Sequence, residues 1–395
     1  MSRDTFRAPA GGPSPDLSDE AYQAQILPHV SRTFALTIPQ LPPGLASAVT
    51  SAYLLCRIAD TIEDEPALSA EQTYAFLQRF AAVVAGTESP APLAQEVAAR
   101  LSERTLPAEC DLVRHMERVI RMTLHLNPVQ RAAIQRCIEL MCSGMHRFQR
   151  TASLRGLERM SELDSYCYYV AGVVGEMLTE LFCEHSREIA ARRAALKELA
   201  TSFAQGLQMT NILKDQWEDR SRGACWLPRD VFAAHGVELE QLTPAAADER
   251  FAQGLKELIG VAHAHLRNAM AYALLIPASE SGIRRFCLWA VGLAVLTLKR
   301  IDHNPRFTSG AEVKVSHAAV ALTCGCTNLA VRSDTILARL FDWAASGLPL
   351  APPADVRRGS RAAAAAAQML IPHESYEYAR DLSRPLRTSD GSSVP

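Results

Sequence analysis

From about residue 21 to 345 the chain repeats one pattern. Apolar side chains recur at three- and four-residue spacing in stretches rich in Ala, Leu, Glu and Arg, which is the period of amphipathic and buried helices. Strand signals, meaning alternating β-branched runs closed by Asn-Gly or Asp-Gly, are nearly absent. No Pro- or Gly-rich linker divides the stretch, so the pattern predicts an all-α chain with one large helical domain over 21–345. Residues 1–20 are polar and Pro/Gly-rich and read as a disordered lead. Beyond 345, a loop at Pro349–Pro353 and the alanine run 362–367 predict a last helix, with a polar tail over 381–395.

Two segments carry more than core. After the turn Pro39 to Gly44 a helix is predicted whose face runs Leu45, Val49, Tyr53, Arg57, Asp60, Asp64, with Pro66 as its stop. A second helix, about 196–222, carries Gln208, Asn211, Asp215 and Asp219 on one face and is ended by Gly223.

Composition narrows the classes of function. A net charge of -2 provides no basic field for nucleic acid, so phosphate recognition has to be local. The ten cysteines are scattered without a C-x-x-C pair, which predicts buried thiols in a reducing compartment rather than a disulfide framework or zinc site. No apolar leader opens the chain. The longest apolar run, Cys287 to Leu298, is too short to span a bilayer and reads as a buried helix. The expectation is a cytoplasmic monomer, with peripheral membrane association left open.

The candidate chemistry lies in two acid clusters, Asp60-Thr61-Ile62-Glu63-Asp64 and Asp215-Gln216-Trp217-Glu218-Asp219. Each puts acids at i, i+3 and i+4 on one helical face. Spacing alone is weak evidence, because 43 acids in 395 residues produce such a triplet roughly 0.5 times per chain by chance. Asp16, Asp19 and Glu20 form one in the polar lead, read as a solvated patch. The two later clusters differ in continuing faces that carry Tyr, Arg or carboxamides between apolar neighbours. They also sit in the last turns of their helices, where the macrodipole disfavours a carboxylate. Local rules broken twice point to function, and carboxylate oxygens suit Mg²⁺. The competing reading is a pair of surface acid patches. Opposed clusters can hold Mg²⁺ around a diphosphate, with Arg57 and Lys214 adding charge to the same oxygens. No P-loop or G-x-G-x-x-G is present.

Four separated blocks resemble the squalene and phytoene synthases. They are Ser31-Arg32-Thr33-Phe34-Ala35 with Tyr53 to Asp64; Tyr166-Cys167-Tyr168-Tyr169-Val170-Ala171-Gly172-Val173-Val174-Gly175; Gln208 to Asp219; and Trp226-Leu227-Pro228. The resemblance covers about 31–317. It implies an isoprenoid-synthase helical fold around a central cavity, with isoprenoid diphosphate as substrate. It implies Asp60, Glu63, Asp64, Asp215 and Asp219 as Mg²⁺ ligands, Arg57 and Lys214 on the diphosphates, and Ser31 and Arg32 in a flap over the mouth. Tyr53, Gln208 and Asn211 complete the polar rim, and Tyr166 lies near the reacting carbons. Lys214 stands where many relatives carry arginine, keeping the charge but losing the bidentate fork. Without the resemblance Tyr166 reads as a core tyrosine, Ser161 to Asp164 as a capping box, and Gly172 and Gly175 as close-packing residues. With it, the glycines read as room for a prenyl tail.

Within the family the phrases Tyr-Cys-Tyr-Tyr-Val-Ala-Gly and Asp-Thr-Ile-Glu-Asp look closest to squalene synthases (farnesyl-diphosphate farnesyltransferases). Two farnesyl diphosphates would give presqualene diphosphate, and NADPH would reduce it to squalene. The segment Asn304 to Ser316 resembles the loop that reaches the nicotinamide cofactor, so Lys314 and Arg32 are the cofactor-binding expectation. Ser316 departs from the arginine of eukaryotic relatives, and Lys314 also reads as a solvated loop lysine. The alternatives are a dehydrosqualene or phytoene synthase, an enzyme that stops at presqualene diphosphate, and a non-catalytic scaffold. No C-terminal anchor is expected, as in a soluble or peripheral bacterial-type form.

Overall fold

The computed structural model describes residues 17–31, 33–149 and 152–368. Arg32, the lead before residue 17 and the expected tail 381–395 lie outside them. Helices α1 (Asp19–Val30) and α2 (Thr33–Thr37) precede α3 (Pro43–Glu63). Then follow α4 (Ala70–Val84), α5 (Pro90–Ala98), α6 (Pro107–Arg114), α7 (Met116–Leu124) and α8 (Pro128–Gln149). Next come α9 (Met160–Cys167), a π-helical turn (Tyr168–Gly172), α10 (Val173–His185) and α11 (Arg187–Ala190). The long α12 (Arg193–Ser221) leads through α13 (Arg229–Ala233) to α14 (Glu249–Leu275) and α15 (Ser281–His303). Helices α16 (His317–Ala330), α17 (Asp334–Ala344) and α18 (Pro353–Gln368) complete the order. Among the described residues β-pairing is limited to the bridge Leu157–Pro228, so the all-α expectation holds.

α12 is the innermost, packed by α10, α14, α15 and α18. α3 packs on α4, α7 and α8, and α10 joins the two groups by touching α3, α8 and α12. α3 and α15 are long and apolar enough to cross a bilayer, but 67% and 61% of their apolar windows are buried. Both are core helices of this bundle, as expected of the Cys287–Leu298 run. All ten cysteines are free thiols, and seven are buried.

Local chemistry sets the ends. Pro43 occupies the first turn of α3, where its missing N–H costs nothing. α12 stops at Ser221, and Gly223 adopts φ +86° just beyond it, as the sequence predicts. Two expectations change. The capping box at Ser161 is absent: α9 begins at Met160 after Arg159, and the Glu162 carboxylate instead accepts the Glu158 N–H at 2.7 Å. Asp19 is no solvated patch residue. It opens α1 and pairs with Arg121 at 2.7 Å, which holds its carboxyl below the usual range.

The paired glycines also take the plain reading over the prenyl-tail one. A Cβ on Gly175 would sit 2.2 Å from the Ala200 carbonyl oxygen, and one on Gly172 would sit 3.0 Å from Thr201 Cγ2. The space beside both glycines is therefore filled by α12. Gly175→Ala is expected to cost about 3 kcal/mol net of the better helix propensity, read by urea denaturation; an unchanged midpoint would refute the tight contact.

Asp164 is a second marker of this packing. It lies in α9 beneath Gly359 of α18, and burial alone lifts its carboxyl to about 7. This folded value exceeds the unfolded one, about 3.9, so its contribution to stability is full at low pH and lost as pH rises toward 7. Asp164→Asn should therefore raise the melting temperature at pH 8 and leave it little changed at pH 4; the reverse order would show that the carboxylate is compensated.

Candidate active site

Two helix ends carry the acids. α3 delivers Asp60 and Glu63 in its last turn and Asp64 as its C-cap, while α12 delivers Asp215 and Asp219 two turns and half a turn before it ends. They face each other: Arg222, the C-cap of α12, bonds Asp219 at 2.5 Å and reaches Asp64 at 3.7 Å. Burial first, and then the negative charges of Glu63, Asp64 and Asp219 together, hold the Tyr166 hydroxyl well above the usual phenol range. Sequence reasoning put the clusters on inward faces but named neither Arg222 nor this contact. The signal was available, because Arg222 stands at i+3 from Asp219.

The electrostatics of the mouth are unbalanced. Burial raises Asp60 to about 7, against the lowering pull of Arg57. It raises Asp219 to about 6 despite the Arg222 hydrogen bond, and lifts Glu63, Asp64 and Asp215 as well. Asp60 and Asp64 keep 37% and 58% of their side-chain surface open. Their desolvation thus comes from a concave wall rather than full enclosure. Glu63 is buried, and its Oε1 has no hydrogen-bond partner. Against these five acids stand Arg57, Lys214 and Arg222. Arg57 is held by the Glu109 carboxylate of α6 and lies 3.8 Å from Asp60; Lys214 Nζ lies 3.1 Å from Asp215. Glu109 was invisible in the sequence, since it meets Arg57 across a separation of 52 residues.

Such an excess of oxygen donors, with one orphaned buried oxygen, fits hard divalent cations. Among the described residues no three acids or other ligating groups already close into a metal cage. That suits Mg²⁺, which keeps waters and shares substrate phosphate oxygens instead of filling a protein cage.

The rim residues gather at the same place. Tyr53, half-buried, donates its hydroxyl to the Val30 carbonyl at 2.9 Å and its ring lies 4.9 Å from Phe34, which pins the α1–α2 junction over α3. Ser31 Oγ accepts the Phe34 N–H at 3.0 Å and so starts α2. Gln208 and Asn211 keep solvent access on α12, one turn apart and in line with Asp215, although that helix is the innermost of the bundle. This stripe on α12 and the stripe Tyr53, Arg57 and Asp60 on α3 are both partly exposed and both lead to the acid clusters.

Tyr166 is buried and stacks on Trp226 at 4.1 Å and 8°, with Phe148 edge-on at 5.4 Å. The bridge beside Trp226, Leu157 N–H to Leu227 O at 3.0 Å, holds that loop against the chain entering α9. A π-helical turn begins two residues after Tyr166, a device frequent at functional sites.

Glu218 departs from its cluster. Its carboxylate accepts the Gly310 N–H at 2.9 Å and the Ser309 hydroxyl at 3.2 Å, so it anchors the 304–316 loop rather than facing the mouth. Phe307 is buried there, its carbonyl accepting the Trp217 indole N–H at 2.7 Å. A side chain at Gly310 would meet Asp215 Oδ1 at 3.0 Å. Lys314 thus stands exposed on a loop tied to the second cluster. Ser316, the position that departs from arginine, caps α16 by accepting the Ala319 N–H.

Residues 27–319 match the model of the squalene/phytoene synthase family. The squalene synthase ERG9 of Gibberella zeae is 28% identical over 278 residues, covering 70% of this chain and 57% of its own length. That of Schizosaccharomyces pombe is 28% identical over 284 residues, covering 71% and 59%. The chain therefore spans less than two thirds of these relatives. A ligand complex of TcSQS superposes with a TM-score of 0.68 at 22% identity, covering 89% of this chain and 99% of that one. A dehydrosqualene synthase gives 0.58 at 20% identity, covering 82% and 96%. Both structures share the fold.

Arg222→Ala should leave Asp64 and Asp219 facing each other without a counter-charge. The expected loss in Mg²⁺-free buffer is about 1 kcal/mol at pH 8, the upper end for a partly exposed pair, and smaller at pH 4.5, where Asp219, raised to about 6, is protonated. Thermal melts at the two pH values check it; equal losses would mean that Arg222 acts through packing.

Proposed function

The chain belongs to the squalene/phytoene synthase family, and from that membership we propose that it is a Mg²⁺-dependent prenyltransferase. It joins two farnesyl diphosphates head to head into presqualene diphosphate and reduces that intermediate to squalene with NADPH. The observation that carries the reading is the confrontation of two acid-bearing helix ends across one mouth, with Arg222 spanning Asp64 and Asp219.

Asp60, Glu63, Asp64, Asp215 and Asp219 would hold the metal. Bound there, Mg²⁺ supplies the positive charge that neutralises a departing diphosphate. The chain's own groups do the rest. Arg57, Lys214 and Arg222 give charge-assisted hydrogen bonds to the same diphosphate oxygens as the allylic carbon–oxygen bond breaks. Tyr166, kept protonated by burial, holds its hydroxyl proton beside the acids while its ring and that of Trp226 present π faces to a carbocation. Addition of that cation to the double bond of the second substrate, with loss of a proton, closes the cyclopropane. Tyr53, Ser31 and Phe34 fasten the segment over the mouth and keep water from the cation. NADPH would meet Lys314 and Arg32, with Glu218 positioning the loop that bears Lys314.

A second reading, rearrangement that ends in loss of a proton in place of reduction, as in dehydrosqualene or phytoene synthases, is favoured by one observation. Ser316 is spent as a helix cap where an arginine would offer charge to the cofactor.

The deciding measurement is incubation with farnesyl diphosphate and Mg²⁺, with and without NADPH, followed by identification of the lipid. Squalene formed only with NADPH is the expected outcome. Dehydrosqualene in both cases, or product only from geranylgeranyl diphosphate, would overturn it. Asp60→Asn and Asp215→Asn should each reduce turnover at least about a hundredfold with unchanged helical circular dichroism.

A further inference from the structure

α16 has the wrong surroundings for its composition. Its 14 residues, HAAVALTCGCTNLA, contain no charged side chain after His317, yet only Thr327 and Ala330 are buried. A helix apolar all round belongs in a core or in lipid. Leu322 and Leu329, two turns apart on one face, are 65% and 92% exposed. α17 repeats the motif, with Ile336 50% and Trp343 74% exposed at the same seven-residue interval.

Beside them runs a groove of about 620 Å³ between α15, α16 and α17, with Lys299, Arg300 and His303 along one wall and Trp343 at its rim. Lys299 and Arg300 donate to the backbone carbonyls of Ser346 (2.6 Å) and Glu312 (3.1 Å), and among the described residues neither forms an ion pair with a carboxylate. The one acid in the lining, Glu312, accepts from the Thr308 N–H and hydroxyl. Both acids of α17 are engaged elsewhere, Asp334 with Arg284 and Asp342 with Arg267.

We propose that the α16–α17 face docks on an anionic phospholipid bilayer, its leucines and Trp343 entering the headgroup–acyl boundary while Lys299 and Arg300 meet lipid phosphates. Charge complementarity selects this occupant. Unneutralised cations beside an uncharged apolar helix and an exposed tryptophan are what an anionic interface binds, and each side of the pair is weak without the other. A second copy of the chain would bring the same cations against themselves. The proposal is independent of the reaction product, because vesicle binding is read without turnover.

The test is flotation of the full chain with phosphatidylcholine vesicles, with and without about 30% phosphatidylglycerol. Binding to the anionic vesicles, weakened by high salt, is expected. Leu322→Asp with Leu329→Asp should cut it about tenfold while circular dichroism stays unchanged, since neither leucine is packed. A blue shift of tryptophan emission on binding should vanish in Trp343→Phe. No flotation with anionic vesicles, or flotation that survives both aspartates, overturns the proposal. So does a concentration-dependent dimer in sedimentation velocity that Leu329→Asp disperses while vesicles stay unbound.

Discussion

Carboxylates facing each other across a concave, poorly solvated mouth are the constraint around which the bundle is arranged. Each acid is costly where it stands: it is desolvated, it neighbours others of its sign, and it sits at the negative end of a helix. Burial lifts Asp60 to about 7 and Asp219 to about 6, although both have an arginine at hand. Only a rigid frame keeps such groups together. Here it consists of the long α12 wedged among four helices and α3 packed over most of its length. Arg222 closes the gap between the two helix ends without matching the negative charge, and this leaves the mouth receptive to cations from solution.

The supports of this mouth are tertiary and asymmetric. Arg57 is shared between Asp60 and Glu109, so one of its forks is already occupied. Glu218, adjacent in sequence to the acids, serves a different end by fixing the 304–316 loop through Gly310. Three carboxylates spaced alike on α12 thus divide into two that face the mouth and one that builds its rim. The distinction rests on which side of the helix the later loop approaches, and Gly310 matters because any side chain there would strike Asp215.

Much of the fold was legible, because helical periodicity is a local property. The stops of α3 and α12 follow from Pro66 and Gly223, while α3 starts at Pro43, inside the stretch read as a turn; the two clusters were recognisable once their faces were followed. What spacing could not give was partnership. Glu109 and Arg57 are 52 residues apart, and the Tyr166–Trp226 stack depends on a bridge between two loops. Gly172 and Gly175 show the opposite error. The family resemblance suggested empty space, whereas the Tyr168 and Thr201 side chains fill it beside Gly172 and the carbonyl of Ala200 beside Gly175. Ser161 looked like a cap by its neighbours, yet the helix begins one residue earlier and Glu162 satisfies the free N–H. Local patterns name the residues; which atoms they meet is decided by packing.

Exposure also corrects hydropathy. By length and composition α3 and α15 are the helices suited to a bilayer, and both are spent on the core. α16 is shorter and drew no attention as a sequence, because fourteen uncharged residues look like any buried segment. Its significance arises from position: α15 covers one side and α17 a margin, leaving Leu329 almost fully open. Burying such a leucine is worth roughly 2 kcal/mol, so leaving several exposed on adjacent helices is a standing cost. A surface that retains this cost beside unneutralised cations is suited to an apolar phase with a charged boundary.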